Sequence, residues 1–131
     1  MDDHHVANAG WWRGRVRSFG HAFRGLAICL RTQANARIHA LATVLVVALG
    51  FALKLVAWEW CAVVLAIAVV WAAECFNTAM ESLVDLVSPE RRPLAGRIKD
   101  LAAGGVLAAA LGAAAVGAII FGPRLWAVLV R

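Results

Sequence analysis

The segment Leu101–Gly122, LAAGGVLAAALGAAAVGAIIFG, runs for 22 residues without a charged side chain. A transmembrane helix needs about 20 apolar residues to cross roughly 30 Å of hydrocarbon. The segment is also rich in alanine and glycine, and small residues let helices approach closely in lipid. The stretch therefore predicts a membrane-spanning helix inside a bundle.

Two further apolar segments precede it, Ile38–Leu53 and Trp60–Ala73. Lys54 and Glu59 separate them, with tryptophans beside the charges, a pattern typical of a membrane–water boundary. Both segments are shorter than the roughly 18 residues of an ordinary span, so flanking residues including Glu74 must enter the boundary region. We predict three spans, at about 36–54, 58–87 and 99–122.

The composition supports an all-α integral membrane protein. Of the 131 residues, 63% are hydrophobic and 16% are charged, whereas soluble domains average about 25% charged. A chain of this length cannot bury so much apolar surface in its own interior, so lipid or partner subunits must cover it. The net charge of +5 fits an anionic lipid surface better than nucleic acid. The three cysteines form no C-x-x-C motif and are interpreted as packing residues.

The segment before the first span predicts an amphipathic helix at about 11–32, after a flexible N-terminus at 1–10. Its apolar residues recur every three or four positions, and its arginines lie off this stripe, which suits the membrane interface. A soluble helix packed on a core is the alternative. The apolar stripe is Trp12, Val16, Phe19, Phe23, Leu26 and Leu30, and the arginines off it are Arg13, Arg17, Arg24 and Arg31.

The distribution of basic residues predicts the orientation. Six of the thirteen Lys and Arg residues fall between Arg13 and Arg37, and four more lie in Glu90–Asp100. By the positive-inside rule, the N-terminus and the Glu90–Asp100 loop are cytoplasmic and the C-terminus is outside. We expect a multi-pass membrane protein.

The motif most suggestive of chemistry is E-C-F-N-T-A-M-E at 74–81, followed by Asp85. At about 100° per residue, Glu74, Asn77, Glu81 and Asp85 lie near 0°, −60°, −20° and +20° on one helix face. Carboxylates beside a membrane are costly and usually functional. They suit a magnesium site or a general base, although pairing with nearby arginines is a structural alternative, especially for Asp85.

Together with P-L-A-G-R-I-K-D-L-A-A-G-G-V-L at 93–107, this motif resembles the small prokaryotic diacylglycerol kinases and their relatives, the undecaprenol kinases. F-x-x-A-x-x-G-L at 19–26, R-I-H-A at 37–40 and I-F-G-P-R-L at 120–125 extend the resemblance. It implies an interfacial helix and three membrane helices, assembled as a homotrimer with active sites between subunits. The implied reaction is ATP- and Mg²⁺-dependent phosphorylation of a membrane lipid alcohol, with undecaprenol slightly favoured over diacylglycerol.

The resemblance also implies roles for single residues. Glu74 matches the catalytic base, and Glu81 matches a magnesium ligand. The second metal position, usually a glutamate in the family, is Gln33 here, which predicts weaker metal binding or a shifted metal requirement. The nucleotide-binding candidates are His21, Glu90, Arg91, Arg92, Lys99 and Asp100, and the candidates that line the site are Asn77, Asp85 and Arg24.

Two other classes of function stay open at this stage. Gln33 leaves room for a catalytically weakened, non-enzymatic membrane protein of the same fold. The intramembrane acids could also serve a small transporter or channel subunit, but Glu74 to Asp85 cluster at one end of a span instead of crossing it. No Walker or protein-kinase motif is present in the sequence, so any nucleotide must be held by a different device.

Overall fold

The computed structural model describes the backbone of residues 3–130 and the side chains of residues 14–130. In the described backbone, four helices follow one another without a strand: α1 Asp3–Thr32, α2 Ala34–Ala52, α3 Ala57–Val87 and α4 Pro93–Leu129. Helices α2, α3 and α4 are each long and apolar enough to cross a membrane. The predicted all-α integral membrane fold is thereby confirmed. The side chains of Trp12 and Arg13, assigned above to the interfacial helix, lie outside the described ones.

Two helices extend beyond the ranges expected from the sequence. Helix α1 begins at Asp3, so the backbone of most of the segment expected to be flexible is helical. Helix α4 begins at Pro93, where the fixed φ of proline suits the first helical turn, and it continues through Pro123 to Leu129. Membrane helices tolerate an internal proline because neighbouring groups satisfy the freed backbone. Lys99 and Asp100 consequently lie in the second turn of α4 and not at its start.

A single residue, Gln33, separates α1 from α2. Its backbone is extended, with φ −104° and ψ 124°, and its N–H donates to the Cys29 carbonyl at 2.9 Å. The chain therefore bends between the two helices without a loop. This bend places the Gln33 side chain at the end of α2 that faces the last turns of α3.

The bundle is held together most extensively by α3 and α4, which pack along each other. A compact apolar cluster of Leu55, Val63, Ile120 and Phe121 joins them at the end where α2 turns into α3. At the opposite end, α1 contacts α3 through Cys29 Sγ, which lies 3.3 Å from Thr78 Oγ1. Large apolar side chains nevertheless remain exposed on every helix, which is expected where lipid or another subunit supplies the apolar surroundings.

Candidate active site

Polar residues on α3 become steadily more exposed toward the end of the helix. Glu74 is 1% exposed and Asn77 is 6% exposed, Glu81 is half-buried and Asp85 is exposed. All four lie on the face predicted from their spacing. The carboxylates therefore form a series that runs from the interior of the bundle to its exposed end near residue 85.

Gln33, Asn77 and Glu81 form one hydrogen-bonded cluster. Gln33 Nε2 donates to Glu81 Oε2 at 2.7 Å, and Asn77 Nδ2 donates to Glu81 Oε1 at 2.9 Å. The bend at Gln33 brings the first donor to the carboxylate, and the spacing of four residues along α3 brings the second. The structure thus joins Gln33, the sequence's candidate for the second metal ligand, to Glu81 across two helices.

The donor atoms around Glu81 fit a magnesium ion that arrives with phosphates. Asn77 Oδ1 is buried and has no hydrogen-bond partner, so a hard oxygen is free beside the Glu81 carboxylate. Magnesium usually takes only one or two carboxylates from the protein and completes its shell with phosphates and water. The described residues contain no group of three His, Cys, Asp or Glu side chains that could hold a metal alone. Gln33 would have to rotate its amide to present its oxygen.

Glu74 faces a histidine from the neighbouring helix. His39 Nε2 on α2 lies 3.3 Å from Glu74 Oε1, but Oε1 has no aligned hydrogen-bond donor. One turn further along α2, Thr43 Oγ1 donates to the His39 carbonyl at 2.7 Å and accepts from Trp71 Nε1 at 3.2 Å. These contacts fix α2 against α3 beside Glu74. His39 is not among the site residues predicted from the sequence, although its position in R-I-H-A was a signal.

An apolar groove begins beside His39. It lies between α2, α3 and α4 and has a volume of about 250 Å³. Val70, one turn before Glu74, lines it together with Ala113 and Phe121. The groove therefore runs from the level of the buried carboxylate toward the apolar cluster at the far end of the bundle.

Charged residues at the Asp85 end of α3 form two exposed pairs. Lys99 Nζ lies 2.6 Å from Asp85 Oδ1, and Arg92 Nη2 lies 3.2 Å from Glu90 Oε2. The structure thus realises the structural alternative for Asp85, pairing with a nearby cation, although that cation is a lysine. Among the described side chains, four other candidates take part in no hydrogen bond or ion pair: His21, Arg24, Arg91 and Asp100.

A second buried carboxylate lies at the other end of α3. Glu59 is 3% exposed and forms a two-pronged ion pair with Arg124 of α4, with N–O distances of 2.7 and 2.8 Å. Glu59 Oε2 also accepts the Val56 N–H at 2.9 Å. This pairing was not predicted from the sequence, because the partners are 65 positions apart.

Comparison with known proteins identifies the family. The family model described as prokaryotic diacylglycerol kinase matches residues 20–121. An undecaprenol kinase of Bacillus subtilis (strain 168) is 39% identical over 109 residues, covering 83% of this chain and 89% of the relative. The chain belongs to the prokaryotic diacylglycerol kinase family. A diacylglycerol kinase of Synechocystis sp. is also 39% identical, over 114 residues that cover 86% of this chain and 65% of the relative.

The family resemblance read from the sequence is therefore confirmed, and the structure brings part of its candidate site together. Gln33, Asn77 and Glu81 are in direct contact, and Lys99 contacts Asp85. The candidates on α1, His21 and Arg24, are exposed and remote along the helix from Gln33. The roles of all these residues remain predictions.

Proposed function

We propose that this chain phosphorylates the hydroxyl of a membrane lipid alcohol with ATP at the cytoplasmic face, using Glu74 as general base. Membership of the prokaryotic diacylglycerol kinase family makes the chain a multi-pass membrane lipid kinase. The observation that supports the catalytic assignment is Glu74 itself. It is a buried carboxylate, 1% exposed, with one oxygen that has no hydrogen-bond partner. A buried acceptor atom without a donor is costly unless it serves a ligand.

The reaction requires one proton transfer and one phosphoryl transfer. Glu74 accepts the proton of the lipid hydroxyl, and the lipid oxygen bonds to the γ-phosphorus of ATP. The bond from that phosphorus to the oxygen bridging to the β-phosphate breaks, and ADP leaves with the electron pair. Positioning and charge neutralisation supply most of the acceleration in such reactions. The helix face that carries Glu74 and Glu81 holds the two reactants side by side.

The phosphates fit the outer part of this face. Magnesium bound with ATP would neutralise charge on the phosphates. The Glu81 carboxylate and Asn77 Oδ1 are the protein atoms we assign to hold it, with Gln33 as a third, uncharged ligand. Lys99 would leave Asp85 to meet a phosphate, since their ion pair is exposed and weakly held. We assign the remaining nucleotide contacts to His21, Glu90, Arg91, Arg92 and Asp100, and the lining of the site to Arg24 as well as Asp85.

The hydroxyl-bearing end of the acceptor's hydrocarbon chain fits the groove beside His39. The groove is lined almost entirely by apolar side chains and begins next to the proposed base. A chain placed there would present its hydroxyl at Glu74 while its apolar part stays out of water. We propose undecaprenol as the acceptor, because the undecaprenol kinase relative is matched over 89% of its length. Diacylglycerol is the competing acceptor, supported by the second relative.

We also propose the orientation and the assembly. The end of the bundle with Gln33, Glu81 and the loop before α4 carries most of the described basic residues, so we place it in the cytoplasm of a bacterial inner membrane. The opposite end, with Lys54 and Arg124, then faces outward. We propose a homotrimer by resemblance to the family, with apolar residues exposed on each helix available for subunit contacts.

The test is phosphate transfer from labelled ATP to undecaprenol and to diacylglycerol, by the purified protein in detergent with magnesium. We expect labelled undecaprenyl phosphate from the wild-type protein. Product on diacylglycerol alone would reassign the acceptor. Absence of product on both lipids, from protein that remains folded and of uniform size in detergent, would overturn the proposed function.

A separate variant tests whether the groove binds the lipid chain. Ala113→Leu places a larger side chain in the groove, whereas Ala115→Leu makes the same change at an exposed position of α4 that does not line it. We expect Ala113→Leu to raise the KM for the lipid by roughly tenfold, with little change in the KM for ATP. Equal KM values in both variants would exclude the groove as the chain site. Loss of uniform oligomer size in Ala113→Leu would indicate instead that another subunit fills it.

A further inference from the structure

We propose that His39 is a positioning residue that holds the Glu74 carboxylate for proton transfer, an inference that rests on the proposed function. Its Nε2 lies 3.3 Å from Glu74 Oε1, and no other described side chain donates to that oxygen. A small rotation of either side chain would turn this contact into a hydrogen bond from the imidazole to the carboxylate. Catalytic hydrogen bonds are often long before the substrate is bound.

The surroundings of His39 suit this role. His39 lines the groove and Glu74 does not, and His39 also contacts the Glu74 carboxylate, so the imidazole lies between the carboxylate and the groove. Thr43 and Trp71 anchor the backbone of α2 next to His39 through two hydrogen bonds. The carboxylate alone has several rotamers available, whereas a carboxylate held through Oε1 can direct its second oxygen toward the lipid hydroxyl.

Because His39 acts as a hydrogen-bond donor to Glu74 in this proposal, a substitution that keeps a donor should preserve activity. The amide Nε2 of glutamine can occupy a position similar to the imidazole Nε2, so His39→Gln keeps a donor for Glu74. His39→Leu has a similar volume and no donor. Misplacing a catalytic group by about 1 Å can cost roughly 100-fold in rate. We therefore expect kcat to fall by roughly 10- to 100-fold in His39→Leu and to stay within about fivefold of wild type in His39→Gln.

The experiment measures kcat and the KM for ATP in wild type, both His39 variants and Asn35→Leu, in the labelled-ATP assay. Asn35→Leu is the matched control, because it introduces the same leucine in place of a polar side chain at an exposed position of α2 that does not line the groove. We expect its kcat to stay near that of the wild type. An unchanged kcat in His39→Leu, or an equal loss in both His39 variants, would overturn the positioning role.

A double variant separates a positioning role from a structural one. If His39 acts through Glu74, adding His39→Leu to Glu74→Gln should cause no further loss of the residual rate. A further loss of the full single-variant size would mean that His39 acts independently of Glu74. The outcomes also distinguish this inference from the proposed function. If Glu74→Gln is fully active, the assignment of the base is wrong. If Glu74→Gln is inactive and His39→Leu is normal, only the role of His39 is wrong.

Discussion

Helix α3 buries two glutamates, and they differ in almost every respect except burial. Glu59 has both oxygens engaged, by the Arg124 guanidinium and by the Val56 N–H. Glu74 has one oxygen without a hydrogen-bond partner and only a loosely aligned histidine nearby. They are fifteen residues apart, or about 22 Å along the helix, and so lie toward opposite ends of the bundle.

This difference indicates how a functional charge in a membrane helix can be recognised. A buried carboxylate is tolerated when donors satisfy it, and Glu59 meets that condition entirely within its own chain. Glu74 does not, which means that the fold carries an uncompensated cost at that position. Such a cost is maintained where a substrate or cofactor supplies the missing partner. This contrast supports the proposal that Glu59 serves stability and Glu74 serves the reaction.

The largest effect is expected for Glu74→Gln, which tests the proposed general base. The amide keeps the shape of the side chain but cannot accept the proton of the lipid hydroxyl, so we expect turnover to fall by roughly 1,000-fold or more. Thermal stability should stay the same or rise, because an uncompensated carboxylate has been removed. The rate is measured with labelled ATP and the stability by thermal denaturation in detergent. Turnover near that of the wild type would show that Glu74 is not the general base.

The converse test is Glu59→Gln. It removes one partner of a buried ion pair and leaves the Arg124 guanidinium without its carboxylate, so we expect the Tm to fall by roughly 10 °C. The turnover of the protein that remains folded should change by less than about twofold, because the site is remote. Arg124→Gln serves as the partner control and should lower the Tm similarly. A loss of turnover without loss of stability would give Glu59 a catalytic role instead.

Gln33→Glu tests the proposed magnesium site. This change places a second carboxylate against Glu81, where the Gln33 amide now lies 2.7 Å from it, so a cation is needed between them. We expect the half-saturating magnesium concentration to fall by roughly tenfold. Asn35→Asp is the control, since it adds the same charge at an exposed position of α2. An unchanged magnesium dependence in Gln33→Glu would remove Gln33 from the metal site.

The smallest expected effect is a loss of thermal stability caused by tighter packing at Gly50, near the Glu59 end of α3. A Cβ at Gly50 would meet the Trp60 ring at 2.7 Å, and Phe51 already packs on that ring with centroids 4.8 Å apart. Overpacking of this kind costs about 1–3 kcal/mol, so Gly50→Ala should lower the Tm by several degrees. Gly112→Ala is the control, because a Cβ there meets nothing within 4 Å. Equal Tm values for the two variants would show that Trp60 moves aside without cost.

Local features of the sequence were enough to predict the fold class, the family and the helix face that carries the candidate site residues of α3. Uncharged runs such as Leu101–Gly122 require lipid around them, and that requirement is a property of composition. The shared face of Glu74, Asn77 and Glu81 follows from helical geometry within one segment. Both kinds of information are local, so they can be read without knowing how the helices pack.

Contacts between groups that are distant in the sequence could be found only from the packing of the helices. Glu59 and Arg124 pair across 65 positions, and His39 reaches Glu74 from another helix, because the packing of α2 and α4 on α3 sets those distances. The uninterrupted course of α4 through Pro123 likewise depends on its surroundings, since an isolated helix would be broken there. Whether a buried charge is satisfied is a property of its neighbours in space, and spacing along the chain does not encode it.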